Sequence, residues 1–364
     1  MTKIDIVCPL YHAEKHLDGF LARLRAQRDV EIVRGVFPLT DDGSDLTAVK
    51  AKLDAEGFTY FTVTPEEFSH SLTRERAIRD YCVSDIVLML SQDVTLEGDG
   101  AVATLVAALG DGVVYAYGRQ IVKHKTIEYY VRRKNYGADS FTVSKDDIPE
   151  MGLRAFFASD AFAAYDRPAF LALGGYDGIP MMMNEDMYYA KKLLDAGYRK
   201  AYVAEAVAEH SHRFTLKQLY RRYYATGVWF REHPEFSGYK TTDTGMKLAL
   251  SVFAGALKHF NIPVLLRFLP DMTARYLGMK RGAKAPRKKE DCPGAASAPT
   301  WSRRSLIVQA ASPPLPCRRY PSPAPPPRYR TVSPPPMRRV SRPPHRPDAA
   351  ARSPASPAPA PHLL

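Results

Sequence analysis

Short apolar runs alternate with amphipathic stretches from the first residues of the chain onward. The segments "IDIVCP" (4–9), "VEIVRGVFPL" (30–39), "FTYFTV" (58–63), "DIVLML" (85–90) and "VVYAYG" (113–118) have the length and composition of buried strands. Between them, apolar positions recur at helical spacing and predict helices near 14–27, 45–56, 72–82 and 100–109. This alternation predicts βαβ units and an α/β fold with a mostly parallel central sheet flanked by helices. In such sheets ligands bind beyond the carboxyl ends of the strands, so polar residues emerging there are the first candidates for chemistry.

The regular pattern lapses over 119–156, a polar stretch that reads as a long irregular insertion and hence as functional or mobile. Strand and helix signals return in "FFASDAFAAYDRPAFLALGGYDG" (156–178) and in a helix after "MMMNED", where Met187, Ala190 and Leu194 keep helical spacing. A strand "KAYVAEAVAEH" (200–210) and a helix "TLKQLYRRYYATGVWFREH" (215–233) follow. Asp41 and Asp42 follow the second strand, in a stretch that also reads as an ordinary Gly/Ser turn. Asp93 follows the run "DIVLML", where it equally suits a helix cap. Glu185 and Asp186 sit behind Asn184, a residue suited to capping, and acidic groups favour a helix N-terminus whether or not they do chemistry. His210-Ser211-His212 reads either as a polar loop or as a metal-ligand pair.

Composition divides the chain near residue 280. Of 30 prolines, 21 lie in 280–364, and that stretch carries 17 Lys+Arg against 3 Asp+Glu. The formal charge of +12 therefore belongs to the C-terminal segment, leaving the remainder nearly neutral and making nucleic acid a poor candidate for the main partner. Cys8, Cys82, Cys292 and Cys317 have no metal-ligand spacing and fit a reducing compartment. The longest apolar run, "LALSVFAGAL" (248–257), falls short of the roughly 20 residues that cross a bilayer, and a cytoplasmic chain is expected.

The order of these signals resembles the inverting glycosyltransferases of family 2, with the GT-A fold, over residues 4 to about 282. The closest resemblance is to bacterial rhamnosyltransferases of surface-polysaccharide assembly, through "FSHSLTRERAI", "LSQDV", "GGYDG…NEDMYYAKKLLDAGY" and "HSHRFTLKQLYRRYYATG". The resemblance implies a nucleotide-sugar donor, dTDP-L-rhamnose being the best match, and a saccharide or lipid-linked saccharide acceptor. It assigns Asp186 as general base with Glu185 positioning the acceptor, and Asp93 and His210 as ligands of Mg²⁺ or Mn²⁺. Pro9, Tyr11, Asp41, Asp42, Arg74, Gln92 and Asp93 would contact the nucleotide sugar. Asp160, Gly175, Tyr176, His212, Arg221 and Arg222 would meet acceptor or diphosphate. Many relatives carry Asp-x-Asp at the metal site, whereas this chain has Ser91-Gln92-Asp93.

These readings divide the chain into a catalytic domain over 1–240, a helical extension over 241–282 and a Pro/Arg-rich tail over 283–364. The extension mixes apolar runs with Lys and Arg, a composition suited either to packing on the catalytic domain or to peripheral contact with the inner face of the cell membrane. The tail is predicted to be disordered, and its Pro, Arg, Ala and Ser bias is also what a frameshift in GC-rich coding sequence produces.

Overall fold

A computed structural model of the chain describes residues 1–239 and 242–286. Four strands open the fold: β1 (Thr2–Val7), β2 (Val30–Thr40), β3 (Thr59–Val63) and β4 (Ile86–Leu90). Their side chains alternate between two cores, Ile6 and Leu88 facing one layer of helices and Val7 and Met89 the other. That two-residue period on a sheet covered on both faces explains the near-continuous apolar runs. Helices α1 (Leu17–Arg25), α2 (Thr47–Ala55) and α3 (His70–Asp80) connect them. Asp5, the polar interruption in the first run, is fully buried and accepts from Ser84 N at 2.7 Å and Ser84 Oγ at 2.9 Å, tying β1 to the start of β4.

The second half adds β5 (Thr95–Leu96), α4 (Ala101–Val106), β6 (Val113–Ile121), α5 (Ile127–Asn135), β7 (Phe141–Val143), α6 (Ile148–Met151), β8 (Phe162–Asp166), α7 (Arg167–Ala172), α8 (Glu185–Asp195) and β9 (Arg199–Glu209). The sheet order is β3-β2-β1-β4-β8-β6-β9-β5, with β7 also pairing β9. The expectation of a mostly parallel sheet describes β3-β2-β1-β4 and the β6-β9 pair; β8 inserts antiparallel between β4 and β6. Because β8 reverses direction and β6 reverses it again, β1, β2, β4, β6 and β9 all run the same way. Their carboxyl ends lie along one edge, and that alignment positions the site.

The 119–156 stretch is more regular than its sequence pattern implies. It contains α5, β7 and α6, and α5 buries Ile127, Tyr130 and Val131. Three further helices, α9 (Leu216–Glu232), α10 (Thr242–Lys258) and α11 (Ile262–Ala283), complete the described chain. Helix α11 lies against α9 at glycine contacts: a Cβ on Gly278 would meet the Tyr220 carbonyl at 2.5 Å, and one on Gly282 would overlap the Tyr224 carbonyl. Val252, Ala256 and Val264 pack on α5, so the α10–α11 hairpin covers the former insertion. No helix among the described residues is long and apolar enough to cross a membrane. The predicted disorder or frameshift of the tail concerns residues that, beyond 286, lie outside those described.

Candidate active site

The carboxyl ends of β1, β2 and β4 frame a cleft of about 690 Å³. Pro9, Tyr11, Thr40, Gln92, Asp93 and Arg74 line it, together with His70, which the sequence reading did not single out. Gln92 is committed to the frame: its Oε1 accepts from Tyr11 N at 2.7 Å and its Nε2 donates to Tyr11 O at 2.7 Å. It fixes the Tyr11 backbone, so its amide is a clasp where a donor contact was expected. The Tyr11 hydroxyl donates to Asp42 Oδ2 at 3.0 Å, and His12 Nε2 lies 3.1 Å from the same oxygen. Asp41 instead accepts from Gly43 N at 3.0 Å, closing the turn. Of the two aspartates, Asp42 is therefore the one joined to a cleft residue. Burial opposes its charge, yet hydrogen bonds from Ser44 and Tyr11 hold its carboxyl below the usual carboxylate range. The Thr40 hydroxyl, buried in the cleft wall, has no partner among the described residues.

At the β4–β9 side, Asp93, His210 and His212 converge, with one ligand atom from each lying within 4.8 Å of the others. Asp93 Oδ1 is 3.4 Å from His210 Nε2, and Asp93 Oδ2 is 3.5 Å from His212 Nδ1. Asp93 and His210 meet because their strands share a direction; His212 follows two residues later, and its ring stands edge-on to His210 at 4.2 Å. The resemblance placed His212 with acceptor or diphosphate, and the fold brings it into this cluster. Burial pushes the His212 imidazole down to about 3, and the neighbouring His210 adds to the effect. Burial likewise lowers His210, against the pull of Asp93. Burial would raise the Asp93 carboxyl, but the hydrogen bond and charge of His210 hold it well below its ordinary range.

The donor set suits a divalent cation: one carboxylate and two neutral imidazoles, a combination of oxygen and nitrogen ligands. Gln120, at the carboxyl end of β6, strengthens the fit. Its Oε1 lies 2.9 Å from His210 Nδ1 and its Nε2 donates to Ser159 Oγ at 2.6 Å. With the Gln120 amide oxygen accepting at Nδ1, the His210 ring would carry its proton there and keep the Nε2 lone pair for a cation. Gln120 was missed, although a polar residue closing a buried strand at the carboxyl edge is the signal that found Asp93. Burial, then the charge of Arg74, pushes the His70 imidazole down to about 3; Arg222, which stacks over Phe214 at 5.6 Å, adds its charge there and, after burial, at His210 and His212.

A second group lies behind the cleft. Arg74, on α3, lines the cleft and forms a buried ion pair with Glu185 at the start of α8. Its Nε has no partner among the described residues, leaving one donor in reserve. Glu185, expected to position the acceptor, is held by Arg74. Asn184 has φ 57° and makes no side-chain hydrogen bond to the first turn, so the expected cap is absent. Asp186 is half-buried, and its Oδ1 accepts from Met187 N at 2.7 Å. Burial, then the charges of Glu185 and Asp160, push its carboxyl well above the ordinary range, against the pull of Arg74.

Asp160 and Tyr176, expected with Gly175 near acceptor or diphosphate, are 2% and 0% exposed, and Gly175 is also buried. Asp160 accepts from the hydroxyls of Tyr165 at 2.6 Å, Tyr115 at 3.0 Å and Tyr176 at 3.2 Å, forming a polar floor beneath the Arg74–Glu185 pair. Gly175 has φ +60°, and a Cβ there would meet the Glu75 carboxylate at 2.6 Å. Arg221 lies on α9 beside Arg222, half-buried.

No family model matches the chain. It is 32% identical over 290 residues to the O-antigen chain rhamnosyltransferase RfbN of Salmonella typhimurium strain LT2, covering 77% of this chain and 89% of that protein. It is 36% identical over 229 residues to the O-antigen chain rhamnosyltransferase WbaN of Salmonella anatum, covering 60% of this chain and 71% of that one. Among solved structures it resembles the mannosyltransferase PcManGT from Pyrobaculum calidifontis, determined with GDP-Man and Mn²⁺, at a TM-score of 0.51 and 14% identity, over 77% of this chain and 86% of that one. That last likeness is one of fold.

Proposed function

Because the chain belongs to the family of bacterial O-antigen chain rhamnosyltransferases, with the GT-A fold, we propose that it moves L-rhamnose from dTDP-L-rhamnose onto a growing surface polysaccharide or its lipid-linked precursor, with inversion at the anomeric carbon. The observation that carries this reading is the convergence of Asp93, His210 and His212 beside a nucleotide-sized cleft.

In this reading the nucleoside lies along Pro9, Tyr11 and Asp42, with the Thr40 hydroxyl available to it. Asp93, His210 and His212 would hold a divalent cation, and two imidazoles in the set favour Mn²⁺ over Mg²⁺. When bound, that ion supplies Lewis-acid charge against the departing diphosphate. Arg222 adds a fixed positive charge on the same side, through guanidinium donors suited to phosphate oxygens. Arg74 lines the cleft while orienting Glu185 and, through it, the first turn of α8.

Asp186 is the general base. The acceptor hydroxyl attacks the anomeric carbon from the face opposite the diphosphate, its proton passes to the Asp186 carboxylate, and dTDP leaves. A carboxyl raised by burial and by two neighbouring carboxylates is a stronger base than a solvent-exposed one and sits nearer the working pH. Turnover of dTDP-L-rhamnose with an O-antigen fragment, read by anomeric NMR of the product, tests the reading. An inverted glycoside, lost in Asp186→Asn while donor binding persists, is expected; retained configuration, or an Asp186→Asn variant as fast as wild type, overturns the assignment.

A further inference from the structure

Helices α10 and α11 carry their apolar residues on the wrong side for a helix that serves only the protein core. On α10, Met246, Leu250, Phe253 and Leu257 are 66%, 60%, 43% and 54% exposed. Their spacing of four, three and four residues confines them to an arc of about 60° at ~100° per residue. The residues that pack inward, Val252 and Ala256, lie on another face. Helix α11 repeats the arrangement: Leu266 and Leu269 are 76% and 71% exposed, while its buried positions Val264, Asp271, Arg275, Gly278 and Gly282 point the opposite way toward α5 and α9. Phe260, at the turn between the helices, is 83% exposed. Of the 15 exposed large apolar side chains among the described residues, 10 lie between Met246 and Leu277. Scattered apolar side chains are normal on a surface, but a stripe on each of two consecutive helices, with Phe260 exposed at the turn between them, marks a docking surface.

Charge identifies what that face fits. Six cations on the hairpin are exposed, namely Lys247, Lys258, Arg267, Lys280, Arg281 and Lys284, and the only acid in 245–286, Asp271, is buried against Arg275. A second copy would bring six further cations against these six. The sequence beyond 286 is repelled as well, with 14 Lys+Arg against 3 Asp+Glu. An anionic lipid surface satisfies both features, with the apolar stripes entering the acyl boundary and Lys247, Lys258, Lys280, Arg281 and Lys284 meeting headgroup phosphates while Arg267 stays on the Phe214 carbonyl. Neither helix is long and apolar enough to cross a bilayer, so both lie in its plane.

We propose that the α10–α11 hairpin seats the enzyme on an anionic lipid surface. The same hairpin is joined to the active site: Arg267 donates to the Phe214 carbonyl, two residues beyond His212, and α11 packs along α9, which carries Arg222. Seating on lipid therefore orients the metal-ligand loop relative to the membrane, the geometry a lipid-linked acceptor requires. The inference does not depend on which sugar is transferred.

Flotation of the full chain with vesicles of phosphatidylcholine alone, or of phosphatidylcholine and phosphatidylglycerol in equal parts, tests it beside Leu257→Glu/Leu266→Glu. Both substituted side chains are exposed, and circular dichroism and calorimetric dTDP-L-rhamnose binding verify that fold and cleft are intact. Wild type is expected to float with anionic vesicles. The double variant should partition at least ~100-fold more weakly, since two buried leucines contribute about two orders of magnitude. Absence of flotation overturns the proposal. Equal flotation of the variant also overturns it, by assigning binding to the basic C-terminal sequence. A wild-type dimer that the variant splits, with no vesicle binding, reassigns the face to a second copy.

Discussion

Lys200 is 1% exposed on β9, donates to the Phe157 carbonyl and lies 5.2 Å from the Tyr117 ring centroid. Burial pushes its ammonium down from 10.5 to about 7, with the charge of Asp186 pulling the other way. Below pH 7 the folded and unfolded chains both carry the proton, and the folded chain bears the cost of a buried ammonium. Between pH 7 and 10.5 only the unfolded chain binds the proton, so stability rises with pH across that window. At 1.36 kcal/mol per pH unit the gap amounts to roughly 5 kcal/mol. Lys200→Met keeps the volume and removes the charge. Less about 1–2 kcal/mol for the lost bond to Phe157, the variant should be on the order of 3 kcal/mol more stable than wild type at pH 6.5, and the difference should shrink as pH rises and reverse toward pH 10, where only the lost bond remains. Activity should move the other way: without Lys200, Asp186 is harder to ionise, and the acid limb of kcat/KM should shift to higher pH. Urea denaturation of both proteins from pH 6.5 to 9.5, with pH profiles of turnover, measures both effects. A variant less stable at pH 6.5, or a stability difference independent of pH, refutes the reasoning.

Arg74→Met and Glu185→Gln each leave a buried charge without its partner and should cost about 3–5 kcal/mol, while Arg74→Met/Glu185→Leu should recover much of that; chemical denaturation of the three variants gives the comparison. Gln120→Leu frees the His210 ring and should weaken Mn²⁺ binding by about 10–100-fold in a calorimetric titration, with the melting temperature of the metal-free protein little changed. Gly282→Ala drives a Cβ into the Tyr224 carbonyl, a backbone atom that cannot rotate away, and should destabilise the chain by at least ~1–3 kcal/mol in thermal melts.

What was legible in the sequence followed from local rules. The strand-end rule drew attention to Asp93, while His210 read equally as a loop and took its role as ligand from the resemblance; the direction common to β4 and β9 brings the two together. The rule also reached Asp42, but could not separate it from Asp41, since the distinction rests on the Tyr11 hydroxyl bonding one carboxylate and the Gly43 amide the other. Residues whose roles depend on distant partners were misread. Glu185 resembles an exposed acid at a helix start, yet it pairs with Arg74, 111 positions away. Asp160 is held by hydroxyls from β6, β8 and the Gly-Gly-Tyr loop, an assembly with no sequence period. Lys200 was not singled out, because nothing local reveals that its strand runs between β6 and β7 and buries it. The outward stripes of α10 and α11 were visible as amphipathicity; which side faced the protein was not, because apolar periodicity reads the same whether the stripe meets a core or a lipid.

The most direct test of the account is calorimetric titration of dTDP-L-rhamnose into the full chain with Mn²⁺ and with chelator, beside Asp93→Asn. Binding that requires Mn²⁺, and that falls by at least ~10-fold in the variant, is the predicted result. Binding of equal strength with and without metal, unaffected by Asp93→Asn, would contradict the assignment of Asp93, His210 and His212 as the cation site of the donor cleft.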